Sequence, residues 1–137
     1  MFDEVVVVIS HNPSKPSGVF TPEERRDLIF GALPEGVAVE VVLSANRLLV
    51  DVCRELGATA IVKGLRGATD FAYELPMAHM NRHLTGIETL FLPGNPAMEH
   101  VSSSLIKEVV RFGGDVTGLV PENVRAALRD RLAPTGP

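Results

Sequence analysis

The chain has 137 residues, of which 45% are hydrophobic and 22% are charged, and its formal net charge is −4. This length and composition are ordinary for one globular domain with a real core, and the negative charge argues against generic nucleic-acid binding, which needs a basic surface. No apolar run approaches the roughly 20 residues that span a membrane, and the acidic Asp3 and Glu4 are not typical of a signal or transit peptide. Since Cys53 is the only cysteine, no internal disulfide can form, and we expect a core thiol in a cytoplasmic protein.

Strand and helix patterns alternate along the chain. In order, they predict a strand at residues 5–9, a helix at 21–32, a strand at 37–43, a helix at 46–56, a strand at 60–62, a helix at 70–84, a strand at 88–92 and helices at 103–112 and 122–132. The first helix has the clearest start, because Thr21 and Glu24 have the spacing of a capping box and Pro22 suits the first helical position. Asn46 and Asp70 are predicted N-caps of later helices. The alternation predicts an α/β fold with a parallel sheet.

Hydroxyl and basic side chains follow several of the predicted strands. Residues 101–108, Val-Ser-Ser-Ser-Leu-Ile-Lys-Glu, open a helix with three serines, where unpaired N–H groups and the helix dipole favour phosphate. One serine would suffice for capping. Lys63 and Arg66 flank Gly64 at a strand end, which predicts a polyphosphate clamp, with a solvated loop as the alternative. Lys15 also follows a strand, and because ligands lie beyond the carboxyl ends of parallel strands, we expect all these groups to converge on one crevice.

The helix predicted at residues 70–84 carries further polar side chains. His79 and His83 have the spacing of two zinc ligands on one helix face, but the glutamate of the metalloprotease motif is absent, and packing or subunit contact is the favoured alternative. Glu74 could accept a hydrogen bond from a ribose or base, or it could be a surface acid that the helix dipole favours. Pro76 costs about 3 kcal/mol inside a helix. We therefore expect the helix to start later or to kink.

Several segments together resemble one bacterial enzyme family. They are Asn-Pro-Ser-Lys at 12–15, Phe-Thr-Pro-Glu-Glu-Arg at 20–25, Val-Lys-Gly-Leu-Arg at 62–66, Asp-Phe-Ala-Tyr-Glu at 70–74, His-Met-Asn-Arg-His at 79–83, the serine segment at 101–108 and Gly-Asp-Val at 114–116. From Met1 to about Leu132 the chain resembles bacterial phosphopantetheine adenylyltransferases. Sister enzymes that act on nicotinamide mononucleotide or a sugar alcohol phosphate are the alternative. They typically carry threonine and arginine where this chain has Ser104 and Lys107, which disfavours them.

The resemblance implies a Rossmann-like parallel sheet with helices on both faces, and a reaction in which ATP and 4′-phosphopantetheine give dephospho-coenzyme A and pyrophosphate with Mg²⁺. This is the penultimate step of coenzyme A biosynthesis, and the complete protein is expected to be a homohexamer without nucleic-acid or membrane partners. By position, Lys15 and Arg66 would stabilise charge during transfer, and Lys15, Leu49 and Lys63 would contact phosphopantetheine. The ATP-binding residues implied are Gly64, Leu65, Arg66, Glu74, Met98, Glu99, His100, Val101, Ser102, Ser103 and Ser104. No residue is implied as a metal ligand.

The family also begins with a segment that has no counterpart here. That segment contains the first, central strand, a glycine-rich turn, a Thr/His-x-Gly-His motif whose second histidine stabilises the transition state, and a helix. His11 does not substitute for that histidine, because Asn12-Pro13 follows it and it belongs to the next loop. We therefore expect residues 1–132 to be a nucleotidylyltransferase domain truncated by about 25 residues, with strand 5–9 left partly unpaired, and residues 133–137 to be a disordered tail. A non-catalytic nucleotide-binding remnant is the alternative.

Overall fold

The computed structural model describes residues 2–11 and 18–134, except for the side chain of His11. Within this range the strands are β1 (Val6–His11), β2 (Glu40–Ala45), β3 (Ala60–Leu65) and β4 (Glu88–Pro93). The α-helices are α1 (Pro22–Ala32), α2 (Leu49–Glu55), α3 (Ala68–Thr85), α4 (Ser103–Arg111) and α5 (Glu122–Leu132), and a short 3₁₀ helix spans Pro96–Met98. The predicted alternation and the α/β class are confirmed. None of the described helices is long and apolar enough to cross a membrane.

The chain divides into two compact units, which we call unit 1 (Met1–Asn46 and Val101–Pro137) and unit 2 (Arg47–His100). In unit 1, β1 pairs in parallel with β2, and in unit 2, β3 pairs in parallel with β4. The described strands therefore form two two-stranded parallel sheets, not the single sheet that the alternation suggested, because no described strand hydrogen-bonds to both pairs. The assignment of residues 1–132 to one truncated domain stays a prediction. So does the disordered tail at 133–137, of which residues 135–137 lie outside the described residues.

The core of unit 1 forms where α4 and α5 meet. Ile106 and Val110, four residues apart on α4, pack with Val116 and with Leu128 of α5, and each is at most 5% exposed. This spacing places both α4 residues on one helix face. The Asn123 amide on α5 also donates to the Leu28 carbonyl on α1 at 2.9 Å. The serine segment therefore begins a helix whose buried face is fixed by packing.

The core of unit 2 joins α2 to β3. Val50 and Cys53 of α2 pack with Ile61 of β3, and the half-buried Leu49 and Ile87 cover this cluster. The expectation of a core thiol is confirmed, since Cys53 is only 6% exposed. Burial also raises the pKa of the Cys53 thiol, because the thiolate loses its hydration. This thiol is therefore a packing group and a poor nucleophile at neutral pH.

Local signals located one helix start correctly and missed another. At α1 the predicted capping box is present, with the Thr21 hydroxyl accepting from the Glu24 N–H and the Glu24 carboxylate accepting from the Thr21 N–H. At α2 the predicted cap Asn46 is wrong, because the helix begins at Leu49 after Leu48, which makes no side-chain cap. Asn46 instead has a φ of 55°, a left-handed conformation that asparagine tolerates better than most residues.

Helix α3 begins earlier than its sequence indicated. Its N-cap is Gly67, so Asp70 lies inside the first turn, and the prediction that Asp70 is the cap is wrong. Pro76 lies within a continuous helix, so the expected later start is also wrong. Proline has no N–H to offer the Ala72 carbonyl. Both residues are exposed, so water can bind that carbonyl instead, which lowers the cost of the proline.

Candidate active site

The basic cluster of unit 2 lies at the carboxyl end of β3. Lys63, Gly64 and Leu65 are the last three residues of the strand, and Arg66 follows it. The sequence placed them beyond a strand ending at Val62, but parallel pairing with β4 continues to Leu65. Because side chains alternate along a strand, Lys63 and Leu65 share one face and are half-buried. The cluster is thus built on a strand end that is hydrogen-bonded to β4.

Two glycines shape this strand end in different ways. A Cβ atom at Gly64 would meet no atom of the described residues within 4 Å, so the backbone there is open to close approach by a ligand. A side chain at Gly94 would lie 3.1 Å from the Leu65 carbonyl oxygen, which accepts from the Gly94 N–H at 2.7 Å. Sequence reasoning did not single out Gly94. This close contact explains why a glycine is needed at position 94, and its hydrogen bond extends the strand pairing past β4.

Arg66 is held by Asp70 in the first turn of α3. One oxygen of the Asp70 carboxylate accepts from the Arg66 backbone N–H at 3.1 Å and from Nε at 2.9 Å, and the other accepts from Nη2 at 3.1 Å. The hydrogen bonds from the Arg66 side chain and backbone lower the pKa of Asp70, and the same contact raises the pKa of Arg66. Both groups are therefore charged at neutral pH.

Lys63 has a carboxylate partner on the next turn of the same helix. Its Nζ lies 3.5 Å from Oε2 of Glu74. Asp70 and Glu74 are four residues apart, so they share one face of α3. The side chains of Lys63 and Arg66 remain 37% and 45% exposed, which leaves both cations accessible to an anionic ligand.

The other predicted contacts of unit 2 lie on α2 and near the short 3₁₀ helix. Leu49 is the first residue of α2 and packs on the apolar cluster of that unit. Its side chain is half-buried. Met98 ends the 3₁₀ helix and is 40% exposed, and Glu99 and His100 are exposed. The Glu99 carboxylate would meet a side chain at Gly67 at 3.1 Å. Glu99 therefore lies beside the start of α3.

The serine segment lies in unit 1 at the start of α4. Ser102 is the N-cap, and its hydroxyl accepts from the Leu105 N–H at 3.3 Å and lies 3.3 Å from the Ser104 hydroxyl. Ser103 and Ser104 are exposed, whereas Val101 packs against the core of the unit. The segment therefore combines one capping hydroxyl with two exposed hydroxyls beside first-turn N–H groups, an arrangement that suits an anion.

The predicted site residues thus divide into separate groups. Lys63, Arg66 and Glu74 are brought together in unit 2, and residues 101–104 belong to unit 1. Lys15 lies outside the described residues. Convergence on one crevice stays a prediction. Sequence reasoning missed the role of Asp70 as the partner of Arg66, although the four-residue spacing of these opposite charges was a signal that could have found it.

Two other features carry none of the predicted site residues. His79 and His83 are both exposed on α3, and the described part of the chain has no group of three or more His, Cys, Asp or Glu side chains that could hold a metal ion. An open groove of about 370 Å³ lies between α1 and α5. Its lining residues are Phe20, Glu24, Asp27, Leu28, Ala127, Asp130 and Arg131.

Comparison with known proteins identifies the class and then the family. A family model described as cytidylyltransferase-like matches residues 1–109, in keeping with the parallel strands and phosphate-type side chains. The chain is 52% identical over 136 residues to the phosphopantetheine adenylyltransferase of Frankia casuarinae, covering 97% of this chain and 83% of that protein. It is 50% identical to the enzymes of the same name from Kocuria rhizophila and a Nocardioides species, covering 95% and 97% of this chain and 83% and 82% of theirs. The chain belongs to the phosphopantetheine adenylyltransferases, which confirms the resemblance in its motifs.

Proposed function

We propose that this protein transfers the adenylyl group of ATP to 4′-phosphopantetheine, giving dephospho-coenzyme A and pyrophosphate, the penultimate step of coenzyme A biosynthesis. The observation that carries the proposal is the 52% identity, over 97% of this chain, to a protein named for this activity. Two accessible cations at the end of β3 and a helix start rich in hydroxyls agree with a polyphosphate substrate. These features disfavour a role without phosphate ligands.

In the proposed reaction, a phosphate oxygen of 4′-phosphopantetheine attacks the α-phosphorus of ATP. The bond from that phosphorus to the bridging oxygen breaks, and pyrophosphate leaves with the electron pair. The transition state spreads negative charge over phosphate oxygens, so catalysis depends on positioning and on charge neutralisation. We assign the neutralisation to Lys15 and Arg66.

The remaining assignments follow the position of each residue. We propose that Lys15 and Lys63 hold the phosphate of 4′-phosphopantetheine and that Leu49 contacts the pantetheine arm. Gly64 would admit ATP close to the backbone, since no atom in the described part of the chain lies within 4 Å of where its Cβ would be. The other ATP contacts proposed are Leu65, Arg66, Glu74, Met98, Glu99, His100, Val101, Ser102, Ser103 and Ser104.

We propose that Mg²⁺ enters bound to ATP. Mg²⁺ commonly binds substrate phosphates together with one or two protein groups, and its role would be to offset phosphate charge. A homohexameric assembly and a cytoplasmic location are part of the same proposal, and they rest on the family resemblance and on the presence of a single cysteine.

Product formation is the direct test of this proposal. The purified chain is incubated with ATP, Mg²⁺ and 4′-phosphopantetheine, and dephospho-coenzyme A and pyrophosphate are measured by mass spectrometry and a coupled assay. We expect both products in equal amounts, and we expect none when nicotinamide mononucleotide replaces 4′-phosphopantetheine. MgATP binding without either product would support the non-catalytic alternative, and turnover of nicotinamide mononucleotide would support the sister activity.

A matched pair of arginines tests the assignment of Arg66. Arg66→Gln removes a cation that is proposed to contact ATP phosphates, and we expect kcat/KM to fall about 100-fold, as for the loss of one transition-state donor. Arg54→Gln is the control, because Arg54 is also exposed, lies in unit 2 and pairs with a nearby aspartate, Asp51. Its kcat/KM should stay within about twofold of the unsubstituted protein, as expected for a surface change. Equal losses in the two variants would contradict the assignment.

A further inference from the structure

The contact between Asp70 and Arg66 fixes the guanidinium more tightly than an ordinary surface pair. Asp70 accepts hydrogen bonds from Nε and Nη2 with its two oxygens, and one of these oxygens also accepts from the Arg66 backbone N–H. A bidentate arginine–carboxylate contact defines the plane of the guanidinium as well as its distance. Both the backbone and the tip of Arg66 are thereby tied to one side chain of α3.

This tie lies at the junction between β3 and α3. The N-cap of α3 is Gly67, which has no side chain to cap the helix, and the Asp70 carboxylate closes the turn from inside the helix by accepting the Arg66 N–H. An arginine side chain that nothing orders loses rotamer entropy when a ligand fixes it. Asp70 imposes that order before a ligand arrives.

We propose that Asp70 is a positioning residue for the adenylyl transfer. Its carboxylate orients the Arg66 guanidinium toward the ATP phosphates. Because the guanidinium is a rigid planar fork, its contact with Asp70 through Nε and Nη2 fixes the direction of the whole group. This inference rests on the proposed function, because it takes ATP as the ligand of Arg66.

Simple electrostatics predicts the opposite change in ATP affinity when the Asp70 charge is removed, so the direction of that change tests the proposal. A carboxylate near a phosphate site repels the ligand, so removing its charge should tighten ATP binding if charge alone matters. If Asp70 orients Arg66, removing the carboxylate should weaken ATP binding despite the more favourable charge. Asp70→Asn is the informative change, since it keeps the size of the side chain and an oxygen that can accept the Arg66 N–H.

The experiment measures MgATP affinity by calorimetry, and kcat and KM for each substrate, in four variants of the full chain. We expect Asp70→Asn to weaken MgATP binding about 5- to 10-fold, the loss typical of a charged hydrogen bond, and to raise the KM for ATP far more than the KM for 4′-phosphopantetheine. Asp51→Asn is the control, because it removes the same charge from another aspartate–arginine pair of unit 2. The double variant Asp70→Asn/Arg66→Gln should bind MgATP no more weakly than Arg66→Gln alone.

The outcomes separate this inference from the proposed function. Affinity of Asp70→Asn equal to or tighter than that of the unsubstituted chain overturns the positioning role, as does a full additional loss in the Arg66→Gln background. An unsubstituted chain that neither binds MgATP nor forms product overturns both proposals. If Asp70→Asn does not fold, Arg66→Lys replaces it, because lysine keeps the charge without the two-pronged contact. Weaker MgATP binding by Arg66→Lys then supports the positioning role, and unchanged binding refutes it.

Discussion

Replacing Ser102 with alanine should lower stability, whereas replacing Ser103 should lower only ligand affinity. The Ser102 hydroxyl caps α4 by accepting from the Leu105 N–H at 3.3 Å, and loss of such a cap costs about 1 kcal/mol. With an unfolding entropy of about 2.1 cal/mol/K per residue over 137 residues, this corresponds to a fall in Tm of about 3 °C. Ser103 is exposed, so Ser103→Ala should leave Tm within about 1 °C, as for other surface changes.

Calorimetric unfolding of the two variants gives Tm, and titration with MgATP gives Kd for each. For Ser103→Ala we expect MgATP affinity to fall about 3- to 10-fold, the loss of one hydrogen bond to a charged phosphate. Each variant serves as the matched control of the other, because the two substitutions are adjacent and chemically identical. Equal Tm values for both variants would refute the capping argument. Unchanged MgATP affinity in Ser103→Ala would refute the role given to the exposed hydroxyls.

Three further predictions concern stability. Val110 is 1% exposed in the core of unit 1, and Val110→Ala should lower the free energy of unfolding in urea by about 2–3 kcal/mol, because it removes two buried methyl groups and leaves a cavity. Val37→Ala, at a half-exposed position, should lower it by less than about 0.5 kcal/mol. Equal losses would contradict the assigned core. Pro76→Ala should raise stability by about 1–3 kcal/mol by restoring a donor for the Ala72 carbonyl, and a lower Tm would show that the helix requires the proline. Stability should hold above pH 5 and fall through pH 4 and below. Contacts with Arg131, Arg66, Thr117 and Arg125 lower the pKa values of Glu24, Asp70, Asp115 and Glu122, respectively, from ordinary values of 3.8 to 4.5, so the unfolded chain binds protons at a higher pH than the folded chain. Urea midpoints that do not change between pH 3 and pH 7 would refute this.

The parts of the fold that depend on near neighbours were predictable from the sequence. The capping box at Thr21 involves residues three apart, and α5 begins and ends at its predicted residues. Where local signals competed, prediction failed. Asn46 and Asp70 both have the chemistry of an N-cap, but one adopts a left-handed φ and the other binds Arg66. Only the fold decides between these outcomes and capping.

The division of strands into two pairs was not predictable from the pattern of apolar residues. Each strand has the β-branched or apolar composition of a buried parallel strand, and this composition says nothing about which strands become neighbours. The extension of β3 through Lys63, Gly64 and Leu65 was missed for a related reason. Lysine and glycine are poor strand formers, yet pairing with β4 holds them in extended conformation. Tertiary pairing here overrides local propensity.

The candidate site shows the same division between local and tertiary information. The sequence predicted that Lys63 and Arg66 bind phosphate, but it could not pair Lys63 with Glu74. Glu74 is eleven positions away and approaches only because α3 packs against β3. Together with Asp70, these side chains carry two positive and two negative charges in the structure. These four side chains alone therefore offer a triphosphate no excess of positive charge. Their contribution to its affinity must come from the direction in which the donors point, and α3 is the element that sets that direction.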